Sequence, residues 1–339
     1  METLRIAVVG PSLNKVPPDG YGSERALYWL ALGLARRGHE VHLYAPYRRL
    51  GDDGIVRHPM KYTPAQVSLQ AEASAWDQDV ERMDFVLDAS ATCIFHELVH
   101  WKAKRHVPHA CWRNGMDFSH PRIFRHNIVV LSQLARQHAL EGRGAYVGPY
   151  YRPEVMPKVA DPVVIGYGLP APRRRSCGHD GGYHLWLSRF TPEKGVFEVL
   201  RAAKRARGER FVLAGDARYG DHAMYYAMAR DLASSLDNVR LVPNPSEEEK
   251  EELMCGAQDF LYPVQYAEAF GLVILEAASL GTPIAVPEES LKFITPELHP
   301  VIERPSWETV ERLGFTVDAM VERWLSFIER AVGGYETRE

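Results

Sequence analysis

Several features that define other classes of protein are missing from this sequence of 339 residues. No run approaches the ~20 consecutive apolar residues that a membrane-spanning helix requires. The N-terminus is polar and leads directly into a strand, so we expect no signal peptide. Only four cysteines are present, at positions 93, 111, 177 and 255, and none forms a Cys-x2-Cys pair. This pattern is typical of reduced thiols in a cytoplasmic protein, and not of zinc ligands or a disulfide framework.

Familiar nucleotide and metal motifs are also missing. There is no Gly-x-Gly-x-x-Gly fingerprint, which counts against nicotinamide or flavin binding, and no Gly-x4-Gly-Lys-Ser/Thr loop of an NTPase. Asp77-Gln78-Asp79 has the Asp-x-Asp pattern of metal-dependent glycosyltransferases. That motif closes a hydrophobic strand, however, whereas Ala71–Trp76 has the pattern of a helix. We therefore expect no metal and no cofactor.

The pattern that is present alternates between strands and helices. Arg5–Gly10 reads as a buried strand, and the apolar face of the following helix ends at Gly38 before a second strand. Further strands are predicted at Phe85–Ala89, His109–Trp112, Asn127–Leu131 and Ala145–Gly148. A second alternating series begins at His184 and ends in a C-terminal helix. This alternation predicts parallel sheets covered by helices on both faces.

A break in the pattern separates the two series. Residues 151–182 contain five prolines, the basic triplet Arg173–Arg175 and five glycines. Central strands and helices do not continue through such composition, so we predict a solvated connection between domains. The predicted organisation is a first domain at 1–160, a linker at 161–182, a second domain at 183–315 and a C-terminal helix at 316–339.

The most informative segment runs from Glu268 to Glu276. The two carboxylates are eight positions apart, with Phe270 and Gly271 between them and an apolar run after them. A helix that begins at Gly271 would leave Glu268 in front of its N-terminus and Glu276 inside it. Unpaired N–H groups at a helix N-terminus attract anions, above all phosphates. The segment therefore predicts a ligand that is part sugar and part phosphate.

This segment resembles the Glu-x7-Glu signature of retaining glycosyltransferases with the GT-B fold, most closely those of family four. The resemblance covers nearly the whole chain. It implies an α/β architecture of two doubly wound, Rossmann-like domains that face each other across a cleft, with the C-terminal helix crossing back to the N-terminal domain. It also implies that Glu268 binds the hydroxyls of the donor sugar and Glu276 those of the ribose. Backbone N–H groups at Phe270, Gly271 and Leu272 would contact the sugar or the phosphate.

A second motif, Ser188 to Gly195, follows a strand and precedes a helix. It resembles the Gly-Arg-x4-Lys-Gly element of the same family. A guanidinium and an ammonium on one loop suit a diphosphate. The resemblance implies that Arg189 and Lys194 bind the donor phosphates and stabilise the leaving group without a metal. Gly215, in a strand-end Gly-Asp pair, would lie near the donor.

The N-terminal half holds the remaining candidates. The loop Pro17 to Glu24 resembles the Gly-Gly loop of the family, in which Gly20 and Gly22 would allow close approach to the donor phosphate or the acceptor. Tyr21 interrupts the two glycines and becomes an acceptor-side candidate. Many relatives carry a histidine at the end of an N-terminal strand, where this chain has Asn114. His96, after the preceding strand, is the alternative catalytic candidate.

The predicted activity is retaining, metal-independent transfer of a sugar from a nucleotide diphosphate sugar to a hydroxyl acceptor, which could be a glycan, a lipid-linked sugar or a small molecule. The alternatives are a GT-B sugar-nucleotide epimerase and a non-catalytic sugar-nucleotide-binding protein. The base, the sugar and the oligomeric state are left open, and no nucleic-acid partner is expected. We predict a cytoplasmic location. Trp101–His106 fits peripheral membrane contact and equally a solvated helix.

Overall fold

The computed structural model of the chain describes residues 2–10, 16, 22–46, 53–59, 80, 82–89, 107–113, 127–142, 161–174, 177–218 and 221–336. The chain divides into two compact units. Unit 1 comprises residues 1–144, 148–168 and 316–339, and unit 2 comprises residues 145–147 and 169–315. Each unit is built on its own parallel sheet.

Unit 1 contains a seven-stranded sheet in the order β3-β2-β1-β4-β5-β6-β7. Every neighbouring pair of strands is parallel. Strands β4 and β5 are buried along their whole length, as expected for a sheet covered on both faces. The strands are β1 (Arg5–Val9), β2 (Glu40–Ala45), β3 (Ile55–Pro59), β4 (Phe85–Asp88), β5 (His109–Arg113), β6 (Ile128–Val130) and β7 (Val163–Val164).

The described helices of unit 1 are α1 (Gly22–Arg36), α2 (Gln133–Glu141) and the C-terminal helix, which we name α10 (Val317–Glu336). Helix α10 packs against α1, and the two helices approach closely where Gly33 faces Val321. Trp324 is fully buried, with its ring 5.1 Å from that of Trp112 at the centroids. The C-terminal helix is therefore part of the core of the N-terminal unit.

Unit 2 contains a five-stranded parallel sheet in the order β10-β9-β8-β11-β12. Its strands are β8 (His184–Leu187), β9 (Phe211–Gly215), β10 (Val239–Pro243), β11 (Asp259–Leu261) and β12 (Ile284–Ala285). Its α-helices are α3 (Val196–Arg205), α4 (Asp221–Ala233), α5 (Glu247–Gly256), α6 (Leu272–Ser279), α7 (Glu288–Leu291), α8 (His299–Glu303) and α9 (Trp307–Arg312). Short 3₁₀ turns lie at Pro192–Lys194 and Pro296–Leu298.

The core of unit 2 fixes the ends of the central strands. Trp186, Phe190, Val196 and Leu213 pack together between the sheet and helix α3. The amphipathic character of α3 follows from its sequence, since Val196, Val199 and Leu200 recur at helical spacing and are all buried. The sheet and its first helix therefore hold the β8–α3 connection in one place.

The predicted connection between domains, at residues 161–182, contains a strand and buried residues. Val163–Val164 forms strand β7 at the edge of the first sheet, and Ile165, Tyr167 and Leu169 are buried. An edge strand tolerates the neighbouring Pro162, which a central strand would not. Residues 161–168 belong to unit 1 and 169–182 to unit 2. The predicted strand at Ala145–Gly148 lies outside the described residues.

The prediction of reduced cysteines is wrong. Cys177 and Cys255 form a disulfide whose Cα atoms are 4.7 Å apart, and Cys111 is disulfide-bonded as well. Residues 179–181 run along the end of helix α5, where His179 N donates to Cys255 O and Gly181 N donates to Gly256 O. This backbone pairing brings together two cysteines that are separated by 78 positions in the sequence.

Within the described part of the chain, no helix has both the length and the apolar character needed to cross a bilayer. Cellular location and peripheral membrane contact stay predictions, and residues 101–106 lie outside the described ranges.

Candidate active site

The predicted site residues of unit 2 lie at the carboxyl ends of neighbouring parallel strands, where ligands bind in open α/β sheets. Arg189 follows β8, Gly215 ends β9 and Tyr262 follows β11. The 3₁₀ turn Pro192–Lys194 lies in the connection from β8 to α3. Gly195 lies between this turn and α3 and has φ 80°. A Cβ on Gly195 would overlap the Pro263 carbonyl, so the glycine allows the two loops to touch.

A polar cluster of Lys194, Glu268, Tyr262 and Tyr266 forms between these loops. Lys194 Nζ is ion-paired with Glu268 Oε2, and only 7% of Lys194 and 9% of Glu268 is exposed. The Tyr262 hydroxyl donates to Glu268 Oε2 at 2.6 Å. The Tyr266 hydroxyl lies 3.1 Å from Oε1 and 3.2 Å from Oε2 of the same carboxylate. The first glutamate of the signature and the lysine of the second motif are therefore in direct contact.

Backbone hydrogen bonds support this arrangement. Glu268 N donates to Phe293 O at 2.8 Å, and Gln265 N donates to Glu193 O at 2.9 Å. The Trp186 indole donates to Lys194 O at 2.9 Å. The indole is buried in the core of unit 2, so its hydrogen bond fixes the backbone of Lys194. The hydrogen bond to Phe293 O fixes the backbone of Glu268.

The electrostatics of the cluster keep both partners charged. Burial raises the pKa of Glu268, but the charge of Lys194 and the hydrogen bonds from Lys194 and Tyr262 outweigh it, so this pKa is lowered overall. Burial lowers the pKa of Lys194, while Glu268 and Tyr266 raise it, and the pKa is raised overall. The site therefore presents a carboxylate and an ammonium at neutral pH.

Arg189 lies beside this pair. Its side chain is 44% exposed, and its guanidinium is 3.9 Å from the Glu193 carboxylate. Burial lowers the pKa of Arg189, whereas Tyr266, Glu268 and Glu193 raise it, and the pKa is raised overall. A guanidinium that is partly open to solvent and partly held by the cluster can fork onto an anion.

The helix after Glu268 begins where the sequence predicted. Gly271 has φ 93° and directly precedes α6, which has no side-chain cap at its N-terminus. Phe270 is buried against Phe315, and Leu272 is buried in the first turn. Glu276 is half-buried one turn further along, and its charge acts on Glu251 of helix α5.

The end of β9 adds groups that the sequence analysis did not predict. Gly215 has φ 152°, and a Cβ there would overlap the Ser188 carbonyl. Asp216 follows it and accepts from Arg218 at 3.0 Å and from His222 at 2.8 Å. Asp216 O also accepts from Phe190 N, next to Arg189. The Gly-Asp pair was recognised in the sequence, but residue spacing gave no signal for its partners Arg218 and His222.

Most of the candidates from the N-terminal half lie outside the described residues. Gly22 is the first residue of α1. Gly20, Tyr21, His96 and Asn114 lie outside the described residues, as does the rejected Asp77–Asp79 motif. The structure therefore brings together Arg189, Lys194 and Glu268 among the predicted donor residues of unit 2, and it leaves the acceptor-side candidates as predictions.

A cavity of unit 2 is a separate feature. It has a volume of 630 Å³ and lies beside the edge strand β12. Pro263, Gln265 and Phe293 contribute to its wall, but Arg189, Lys194 and Glu268 do not. The polar cluster is therefore identified as the candidate site by its charged and hydrogen-bonding groups, and not by the size of a cavity.

Comparison with known proteins relates part of the chain to a family. Residues 178–288 match the family described as Glycosyl transferases group 1. Residues 178–288 carry a group 1 glycosyltransferase domain. The matched residues include Arg189, Lys194, Gly215, Glu268 and Glu276, and they amount to about a third of the chain. The predicted resemblance to group 1 glycosyltransferases and the predicted enzyme class are confirmed, while assignment to family four stays a prediction. No match to a curated protein sequence was found.

Solved structures extend the similarity from this glycosyltransferase domain to the whole chain. A glycosyltransferase from Rickettsia africae ESF-5 is 15% identical, with 98% of this chain and 99% of that chain covered at a TM-score of 0.68. Anabaena Alr3699/HepE, in complex with UDP and glucose, is 15% identical, with 96% and 99% covered at a TM-score of 0.67. These comparisons confirm the predicted GT-B fold class.

Proposed function

We propose that this protein transfers a sugar from a nucleotide diphosphate sugar to a hydroxyl acceptor, with retention of configuration and without a metal. The observation that carries the proposal is the contact between Lys194 and Glu268 beside Arg189, in front of the N-terminus of helix α6. Cations and a helix N-terminus suit a diphosphate, and a carboxylate suits sugar hydroxyls. The likeness to Anabaena Alr3699/HepE, whose structure contains UDP-glucose, supports this class of donor.

Each residue would have a distinct task. Arg189 and Lys194 would hold the diphosphate and oppose the negative charge that develops as it leaves. Glu268 Oε1 has a single described donor, at 3.1 Å, and would accept from a sugar hydroxyl. Glu276, which lies one turn inside helix α6, would accept from the vicinal hydroxyls of the ribose.

The proposed reaction breaks the bond between the anomeric carbon and the diphosphate oxygen. The acceptor oxygen then bonds to the same face of that carbon, and its proton passes to the departing phosphate. This route needs no protein nucleophile. It does need positive charge at the leaving group, which the two cations of the β8–α3 connection supply.

A panel of nucleotide sugars tests this function. The purified protein would be incubated with UDP-, ADP- and GDP-sugars, with and without hydroxyl acceptors and with and without a chelator. We expect nucleotide release that depends on an acceptor, a product with retained anomeric configuration by NMR, and the same rate with chelator.

The other outcomes separate the alternatives. Isomerised donor would indicate a GT-B epimerase, and binding without turnover would indicate a non-catalytic sugar-nucleotide-binding protein. Inversion at the anomeric carbon, or a strict requirement for a divalent metal, would contradict the proposed mechanism while leaving sugar transfer intact.

A further inference from the structure

Glu268 has more hydrogen-bond donors than an ion pair requires. Its Oε2 atom accepts from Lys194 Nζ and from the Tyr262 hydroxyl at 2.6 Å, and the Tyr266 hydroxyl spans both oxygens. Each carboxylate oxygen has about two lone-pair sites. Oε2 is therefore saturated, whereas Oε1 keeps room for another donor.

The cations of the cluster already have carboxylate partners. Lys194 is paired with Glu268, and Arg189 is 3.9 Å from Glu193. An arriving diphosphate would draw Lys194 away, because phosphate oxygens compete for the same ammonium. Glu268 would then be a nearly buried carboxylate without its nearest cation. Such a group is unstable when charged and tends to take up a proton.

We propose that Tyr262 and Tyr266 are positioning residues that keep Glu268 ionised and oriented while Lys194 moves from the carboxylate to the donor diphosphate. This inference rests on the proposed function and adds two residues to its site. The hydroxyls are neutral donors, so they stabilise the carboxylate without competing for the phosphate.

The surroundings of the two tyrosines suit this task. Tyr262 is almost fully buried, with its ring 5.8 Å from that of Phe260, so its hydroxyl has a fixed direction. The Tyr266 ring lies 4.7 Å from Lys194 Nζ, and a cation over a ring face is attracted to it. The lysine can therefore shift between acceptors while it stays over the same ring.

Both hydroxyls remain protonated and able to donate. Burial raises the pKa of Tyr262 well above its usual value, and the charge of Glu268 raises it further. Burial and Glu268 also raise the pKa of Tyr266, although Lys194 and Arg189 act in the opposite direction. The described titratable groups that face Glu268 are thus Lys194, Arg189 and these tyrosines, with Glu193 behind Arg189.

Calorimetry of diphosphate binding tests the inference. Wild type, Tyr262→Phe, Tyr266→Phe and the double variant would be titrated at pH 6 with UDP, ADP and GDP in buffers of different ionisation enthalpy. We expect the double variant to take up additional protons, approaching one per bound nucleotide, relative to wild type. In the double variant, the acid limb of the pH profile of kcat/KM moves to higher pH. Its kcat/KM at pH 7 falls roughly 10- to 100-fold relative to wild type.

The matched control is Tyr183→Phe, which removes the hydroxyl of a partly buried tyrosine, bonded to Leu253 O at 2.8 Å in the same unit. This variant is expected to show the proton uptake and pH profile of wild type. The phenylalanine rings preserve packing, and circular dichroism checks folding. If Tyr262→Phe fails to fold, Tyr266→Phe alone provides the comparison.

Failure of the proposed function can be distinguished from failure of the proposed role of the tyrosines. Absence of nucleoside diphosphate binding by wild type would overturn the proposed function and the role of the tyrosines with it. Binding with the same proton uptake and the same acid limb in wild type and both tyrosine variants would overturn only the role of the tyrosines.

Discussion

Glu268 is the central residue of the candidate site, because its buried charge is bound by Lys194, Tyr262 and Tyr266. Burial acts against the carboxylate, yet Lys194, Tyr262 and Arg189 lower its pKa overall. A carboxyl group whose pKa is lower in the folded protein stabilises the fold above its unfolded pKa of about 4.3, and loses that contribution as the pH falls through the folded pKa.

Replacing this carboxylate gives a pH-dependent prediction. Glu268→Gln leaves Lys194 buried without its counter-charge, and we expect the free energy of unfolding at pH 7 to fall by about 3–5 kcal/mol. The gap between wild type and variant narrows below about pH 4.3, because wild type loses its own contribution there. Denaturant titrations at pH 7 and pH 3.5 measure the gap.

Glu198→Gln is the matched control, since Glu198 pairs with Arg201 at 2.8 Å in an exposed position. Its expected loss is about 1 kcal/mol or less. A gap for Glu268→Gln that stays constant between the two pH values would show that the carboxylate is not held in its charged form by the cluster.

The same variant has an opposite effect on binding. Glu268→Gln removes the group that competes with phosphate for Lys194, so we expect about 10-fold tighter binding of a nucleoside diphosphate that carries no sugar. Calorimetry with UDP, ADP and GDP measures this change. Weaker or unchanged binding would contradict an arrangement in which Lys194 exchanges one acceptor for another.

At the scale of elements, the ends of strands β8 and β9 are the tightest part of the site. Gly215 has φ 152°, and an added Cβ would overlap the Ser188 carbonyl. We expect Gly215→Ala to lower the free energy of unfolding by about 3 kcal/mol or more, because it combines backbone strain with overpacking. Thermal and denaturant unfolding measure this loss.

Gly208→Ala is the control for that substitution, because no atom lies within 4 Å of an added Cβ at this position. It is expected to change the free energy of unfolding by less than about 0.5 kcal/mol. Equal stability of the two alanine variants would mean that the strand ends can separate without a loss of free energy of unfolding. Gly215 would then not fix the position of the Arg189 loop.

Local patterns explain which elements could be predicted. The predicted strand at Phe85–Ala89 matches β4, and Gly271 precedes α6 because glycine tolerates its positive φ. Strand β3 was missed, since Ile55–Pro59 is short and mixes polar with apolar residues. The motif that holds Arg189 and Lys194 and the two glutamates of the signature were recognised from the sequence, before any contact was known.

Contacts between distant residues explain what could not be predicted. The Cys177–Cys255 disulfide depends on backbone pairing between residues 179–181 and the end of α5. Tyr262 and Tyr266 were visible beside Glu268 in the sequence, but only the turn after β11 aims their hydroxyls at the carboxylate. Spacing alone does not encode such directions.

For the whole molecule, the C-terminal helix is the element that closes unit 1. Arg37 pairs with Glu322 at 2.8 Å and with Asp318 at 3.2 Å, and Trp324 packs against Trp112 in the core. The chain thus ends in the unit in which it begins, so stability of unit 1 depends on its last twenty or so residues.

Trp324→Ala measures that dependence. Removing a fully buried indole creates a cavity, and we expect a loss of about 3–5 kcal/mol with faster amide exchange in unit 1. Leu232→Ala is the control, because Leu232 is an exposed residue of helix α4 in unit 2. Comparable losses in the two variants would contradict a structural role for the C-terminal helix.

The central claim is that Arg189 and Lys194 bind the diphosphate of a nucleotide sugar. Calorimetric titration of wild type, Arg189→Ala and Lys194→Ala with UDP, ADP and GDP tests it most directly, with Arg201→Ala as a surface control. We predict that wild type binds at least one nucleoside diphosphate and that each site variant binds it roughly 10- to 100-fold more weakly, while the control is unchanged. Unchanged affinity in both site variants, or no binding by wild type, would contradict the account.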